Sequence, residues 1–236
     1  MEHENYQRQL ELLLARLGGR RPRLLLHACC APCSSYVLEA LTPYFDITVD
    51  YYNPNIDTAE EYAHRAAEMR RFAAQAAELS APVEVLVAPY APEEFYAAAR
   101  GMENLPEGGA RCWACYRLRL AHAAQLAAAG GYDYFCTTLS ISPHKNAQKL
   151  NEIGRETAAR YGVAWLPSDF KKKDGFKRST QLSAEYGMYR QDYCGCVFSK
   201  RELAARAARQ AGASAAPRAG CPVQEPAPPA GARAKP

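Results

Sequence analysis

Five short apolar runs, each followed by a polar or cysteine-bearing loop, constrain this chain more than any other feature. RLLLHA (23–28), FDITVDYY (45–52), VEVLV (83–87), YFCTTL (134–139) and VAWLP (163–167) have the length and the β-branched and aromatic content of buried strands. Helical signals fill the gaps. Ser34 and Ser35 are cap residues for a helix through Leu41, and Pro32 stops the preceding strand. Thr58 with Glu61 makes a capping box for a helix to about Leu79. Further helices are predicted at 92–100, 112–129 and 146–161, near 179–188 and near 199–211, with a leading helix over 4–18. Alternating strands and helices imply right-handed βαβ units. The expected architecture is therefore a three-layer α/β fold with a mostly parallel, Rossmann-like sheet and additional C-terminal helices. Such sheets bind ligands at the carboxyl ends of their strands. HACCAPC, YYNPN, TTLSISPHKN and SDFKKK should then crowd one rim.

Of the 236 residues, residues 1–211 are predicted to form a single catalytic α/β domain. Residues 212–236 hold six prolines and eight alanines with almost no large apolar side chain, the composition of a disordered Ala/Pro-rich tail. Charges scattered through the first twenty residues argue against a secretory leader, and no apolar run approaches bilayer length. A cytoplasmic protein with no membrane partner is expected. There structural disulfides are rare, and clustered thiols hold metal or do redox chemistry. A formal charge of +4 permits an RNA or phosphate partner without demanding one.

Seven of the nine cysteines fall into three groups: Cys29, Cys30 and Cys33; Cys112 and Cys115; Cys194 and Cys196. Adjacent Cys29 and Cys30 bridge to each other only with strain, but both can turn inward in a loop leaving a strand. Cys112 and Cys115, at i and i+3 in the first turn of a helix, share a face. Those four make a soft ligand set for zinc or an iron-sulfur cluster, against the plainer reading of inert buried thiols. Around Gly195, Cys194 and Cys196 suit either a strained, easily reduced disulfide or a further pair of metal ligands. Cys33 is a spare ligand for a second metal or an idle thiol, while Cys136 and Cys221 read as incidental.

Among polar residues, His27 either supports the cysteines with a hydrogen bond or proton, or is a satisfied strand-end histidine. Asn53, beside Tyr52, is either a base contact or a turn former. Lys145, beside Ser142, and the run Lys171, Lys172, Lys173, Lys177 and Arg178 are candidates for RNA phosphates, against plain solvated charge. Arg190, next to YCGC, is a candidate partner for a phosphate or a cluster's negative charge.

HACCAPCSSYVLE, YYNPNI, RCxxCYRLRL, TTLSISPHKN, DFKKKDGFKRS and LSxEYGMYRQDYCGCVFS, in this order and spacing, resemble the cobalamin-independent epoxyqueuosine reductases of the QueH family over roughly residues 22–200. The resemblance implies two-electron reduction of the epoxide of epoxyqueuosine to give queuosine in tRNA. It implies a 4Fe-4S cluster on Cys29, Cys30, Cys112 and Cys115, a redox-active disulfide between Cys194 and Cys196, and an unidentified electron donor. An additional iron beside the cluster is also implied. An aspartate can stand in the family where this chain has Cys33, so that iron's ligands stay open. Two other readings compete. A nucleotide-dependent tRNA thiolation enzyme would want a glycine-rich phosphate loop, which CCAPCSS lacks. A zinc-stabilised nucleic-acid-binding protein or a thiol redox sensor would be colourless where a cluster is brown.

Overall fold

A computed structural model describes residues 4–215, with side chains through 210. The chain runs α1 (Tyr6–Arg16), β1 (Arg23–His27), α2 (Ala31–Leu41), β2 (Asp46–Tyr51), α3 (Ala59–Gln75), β3 (Glu84–Val87), α4 (Pro92–Ala99), α5 (Ala110–Ala129) and β4 (Tyr134–Thr137). A 3-10 turn (Thr138–Ile141), α6 (Ala147–Tyr161), β5 (Ala164–Trp165), α7 (Gly175–Glu185) and α8 (Val197–Ala215) complete it. The strands form one all-parallel sheet in the order β3-β2-β1-β4-β5. On one side α2 packs against α3 and α7, and on the other α5 packs against α4 and α6. The expected α/β class is the observed one.

Burial explains why the central strand reads as unbroken apolar sequence. Leu24, Leu25 and Leu26 of β1 are all fully buried, because helices cover both faces of the sheet. Each such leucine contributes roughly 1.5–3 kcal/mol relative to exposure. Ala123, Ala124 and Ala127 of α5 are also fully buried, and their small side chains let that helix lie close to β1 and β4.

Several boundaries differ from expectation for physical reasons. α2 starts at Ala31, with Cys30 as its N-cap and Pro32 in its first turn, where proline's fixed φ and missing N–H are an advantage. Ser34 and Ser35 are therefore not caps. Inside the helix their hydroxyls donate to Cys30 O (2.8 Å) and Pro32 O (3.0 Å). Thr58 does cap α3, accepting from Glu61 N at 3.2 Å, but the helix ends at Gln75. β4 stops at Thr137, whose hydroxyl accepts from Leu139 N at 3.2 Å and starts the 3-10 turn. β5 keeps two residues in strand geometry. The predicted basic loop ends early, at Asp174, so Lys177 and Arg178 lie on α7. α8 extends to Ala215, past the predicted boundary at 211, and residues 216–236 with Cys221 lie outside the described residues.

Gly175 fixes how closely α7 approaches its neighbours. A Cβ added there would lie 2.0 Å from Phe170 O and 2.4 Å from the Tyr36 ring. Backbone oxygen cannot step aside cheaply. Gly175→Ala is therefore expected to destabilise by about 1–3 kcal/mol, where the same change at an open helical site would stabilise. A thermal midpoint that stays put or rises would contradict this close approach.

Candidate thiol and metal centre

The chain reverses its winding between β1 and β4, and the loop leaving β1 carries the first cysteine group. Because α2 begins so early, Cys29 and Cys30 precede its first turn and Cys33 lies in it. Their three sulfurs lie within 4.8 Å of one another, and among the described residues no other three such ligand atoms do. Cys29 Sγ is 3.8 Å from Cys30 Sγ and 3.7 Å from Oγ1 of Thr138, the first residue of the 3-10 turn after β4. Hydrogen bonds from Cys30 and Cys33 hold the Cys29 thiol well below the usual thiol range, against the pull of burial. The donors respond oppositely. Cys30 is pushed up to about 12 and Cys33 is also raised, each chiefly by its bond to Cys29. A soft cation would replace the shared protons.

These three sulfurs line a cavity of about 410 Å³, together with Arg119, Lys145, Arg190 and Cys194. Cys112 and Cys115, in the first turns of α5, do not line this cavity, and their sulfurs do not join the Cys29, Cys30 and Cys33 group. Cys112 Sγ accepts from Gly108 N at 3.3 Å, and Cys115 packs with Phe95, Ala99, Cys196 and Phe198. Burial raises both thiols. The charge common to the two groups is Arg119. Its side chain is almost fully buried; Nε donates to Cys115 O and Nη1 to Asn53 Oδ1, both at 3.4 Å, and Nη2 has no partner. Burial opposes its charge, yet the sulfurs of Cys115, Cys194 and Cys29 more than compensate, leaving its proton held more tightly than usual. Sequence reading passed over Arg119, although it sits four residues after Cys115 and seven after Cys112, on the same helical face.

All eight described cysteines are free. Gly195 between Cys194 and Cys196 has φ 108°, a conformation open to glycine, and a Cβ there would come 3.0 Å from Arg65 Nη1. Lys145 is not spread over the surface. It is buried, with Nζ 3.1 Å from Cys194 Sγ and 3.2 Å from Glu107 Oε1.

The remaining candidates divide. Arg190 lines the cavity, where it donates to Ser183 Oγ at 3.1 Å and lies 5.8 Å from the Phe176 ring centre. Asn53 is buried and turned inward, its Nδ2 donating to Ala28 O at 2.8 Å, so it ties the loops after β1 and β2 together. Lys171 and Lys172 do not line the cavity. Lys171 pairs with Asp169, Lys173 with Glu11 and Arg178 with Glu39, so much of the basic run is already neutralised. His27 is fully buried. Its Nε2–H donates to Tyr52 O (3.1 Å) and its Nδ1 accepts from the Thr137 hydroxyl (2.8 Å), and burial lowers it to about 4, keeping it neutral. Cys136 is a core thiol bonded to Leu166 O at 3.3 Å.

A doubly wound sheet with this concentration of thiols at its switch point defines an α/β protein with a thiol or metal centre. The family model described as Epoxyqueuosine reductase QueH matches residues 24–202, and the chain belongs to that family. A QueH epoxyqueuosine reductase of Streptococcus pyogenes serotype M1 is 46% identical over 182 residues, which cover 77% of this chain and 71% of the relative. The Staphylococcus epidermidis relative of the same description is 44% identical, covering 83% and 84%. That of Thermotoga maritima is 36% identical, covering 80% and 97%. Among the described residues no helix is long and apolar enough to cross a membrane.

Proposed function

We propose that this chain reduces epoxyqueuosine to queuosine in tRNA, in the cytoplasm and without cobalamin. The epoxide oxygen leaves as water and an alkene remains, which takes two electrons and two protons. The observation that carries the reading is the gathering of Cys29, Cys30, Cys33 and Cys194 on one cavity that Arg119 and Lys145 also line, with Cys115, packed against Cys196 outside the lining, tied to it through its carbonyl bond to Arg119.

Cys29, Cys30, Cys112 and Cys115 are the proposed ligands of a 4Fe-4S cluster. The donor set fits in its chemistry: the sulfurs are soft and largely withdrawn from water, and Cys29 and Cys115, one from each pair, lie under the influence of the buried Arg119 guanidinium, which would offset the negative charge of a thiolate-bound cluster. When bound, such a cluster supplies electrons one at a time. Cys33, close to Cys29 and Cys30, is the candidate ligand for an additional iron. Cys194 and Cys196 would cycle between dithiol and disulfide, reset by an electron donor. In the cavity, Arg190 presents a cation to the substrate's anionic surroundings. Lys171 and Lys172, which do not line the cavity, are the proposed contacts to tRNA phosphates; Lys172 has no ion-pair partner among the described residues, and Lys171 would give up Asp169 for a phosphate.

Anaerobic purification with iron and sulfide analysis, then incubation with tRNA carrying epoxyqueuosine, tests this directly. Brown protein and nucleosides that have lost one oxygen are expected. Colourless protein holding one zinc per chain, or an untouched epoxide with a competent reductant, would overturn it.

A further inference from the structure

The two sulfurs of the YCGC segment stand in unlike surroundings. Cys194 is half-buried and lines the cavity beside Cys29, Cys30 and Cys33. Cys196 is 7% exposed, packs with Phe95, Ala99 and Phe198, and its Sγ accepts from Ser199 N at 3.3 Å. One network fixes both. Lys145 Nζ bridges Cys194 Sγ and Glu107 Oε1, and Ser199 Oγ donates to Glu107 Oε2 at 3.0 Å while accepting from Cys194 N at 3.1 Å. A buried ammonium stays charged only where anionic partners offset its desolvation. Here a carboxylate and a sulfur do so, against burial, and the proton on Lys145 is held well above its usual range.

We propose that the dithiol is asymmetric: Cys194 is the exchanging sulfur, Cys196 is the resolving sulfur, and Lys145 with Glu107 is the positioning pair that holds Cys194 for exchange. This rests on the redox role given to the pair above. The reset reaction takes a dithiol reductant. Its first thiolate attacks Cys194 Sγ, the Cys194–Cys196 bond breaks, and the electron pair goes to Cys196 Sγ. The released Cys196 sulfur then lies against Phe95, Ala99 and Phe198, where it accepts from Ser199 N. The reductant's second thiolate then attacks the sulfur joined to Cys194, and the electron pair leaves onto Cys194 Sγ beside the Lys145 ammonium. The reductant ends as a disulfide and the protein gains its two electrons; the two protons the reductant's thiols lose on forming thiolates balance the charge on the two released sulfurs. Attack at Cys196 is disfavoured because exchange requires access to the sulfur, and that sulfur faces the Phe95–Phe198 cluster.

The test uses full-length, anaerobically purified, metal-loaded protein. Reduced Cys196→Ser and Cys194→Ser variants are challenged with oxidised glutathione, and the adduct on the remaining thiol is followed by mass spectrometry. Glutathionylation of Cys194 is expected to be at least about ten-fold faster than that of Cys196. In the Cys196→Ser background, Lys145→Met is expected to slow it about ten-fold and Lys145→Arg to restore most of the rate. Equal rates at the two thiols, faster reaction at Cys196, or indifference to Lys145→Met would overturn the assignment. Should Lys145→Met not fold, the order of the two thiols decides alone. The underlying redox role is read separately, from the loss of two hydrogens in the 194–196 peptide of oxidised wild type. Without that loss the redox reading fails, while the exchange order still stands or falls by itself.

Discussion

Arg119→Met is expected to strip the protein of most of its metal while leaving the metal-free fold nearly as stable as before. The guanidinium is 1% exposed, and its charge is balanced by sulfurs, not carboxylates. In the metal-free chain the neighbouring thiols can take up protons once the guanidinium is gone, so no buried charge is left unpaired and the desolvation cost of holding the cation there is relieved. Against that, Asn53 Oδ1 loses its donor, a cost of about 1–3 kcal/mol. The two effects nearly cancel in the metal-free chain. Metal binding has no such cancellation. Binding requires thiolates, and each pKa unit by which the missing cation raises a thiol costs about 1.4 kcal/mol. A fall in metal affinity of about 10–100-fold is expected, the range for losing a group that supports ligands from behind. Iron and sulfide per chain after reconstitution, with chelator competition, measure the affinity; a melt of metal-free protein measures the fold. If the variant keeps its metal, or if the metal-free melt collapses, Arg119 is a structural residue and its placement among the sulfurs is incidental.

The sequence speaks most clearly where physics is local. RLLLH, with helices on both sides of it in the chain, could hardly be anything but a central parallel strand, and Thr58 announces α3 through a bond three residues long. Pro32 shows the limit of such reading. β1 already ends at His27, five residues before it; Pro32 instead serves the first turn of α2, whose N-cap is Cys30, four residues before the Ser34 that capping preference alone suggests. That shift matters, because it wraps the three cysteines around a helix start instead of leaving them in an open loop. Lys145 marks the limit of local reading: its partners Glu107 and Cys194 lie 38 and 49 residues away, so nothing near it in the chain shows that this candidate phosphate contact is paired and buried in the cavity lining. For Lys171 a local clue existed: Asp169, two residues earlier, neutralises it. Cysteine spacing identified which thiols matter, but it carries no distances, and the closest three sulfurs include Cys33 where four-ligand reasoning had set it aside.

Cys194→Ser and Cys196→Ser are each expected to let the enzyme complete about one reduction and then stop. Opening the epoxide to an alkene consumes an electron pair, which a pre-reduced cluster and the additional iron proposed at Cys33 would supply once between them, so repeated turnover needs a store that is refilled in pairs. A dithiol is such a store, and one thiol alone is not. Serine in place of Cys194 keeps an acceptor for Lys145, and serine in place of Cys196 keeps one for Ser199 N, so melting temperature and metal content are expected to hold. Rapid-mixing assays on pre-reduced protein separate the alternatives. A product burst close to the enzyme concentration followed by a stalled steady state supports the redox role. Variants that turn over repeatedly with the native donor would end it. Loss of iron in either variant would make the pair metal ligands, in which case the convergence of sulfurs on this cavity serves one larger metal site and the electron pair must be stored there.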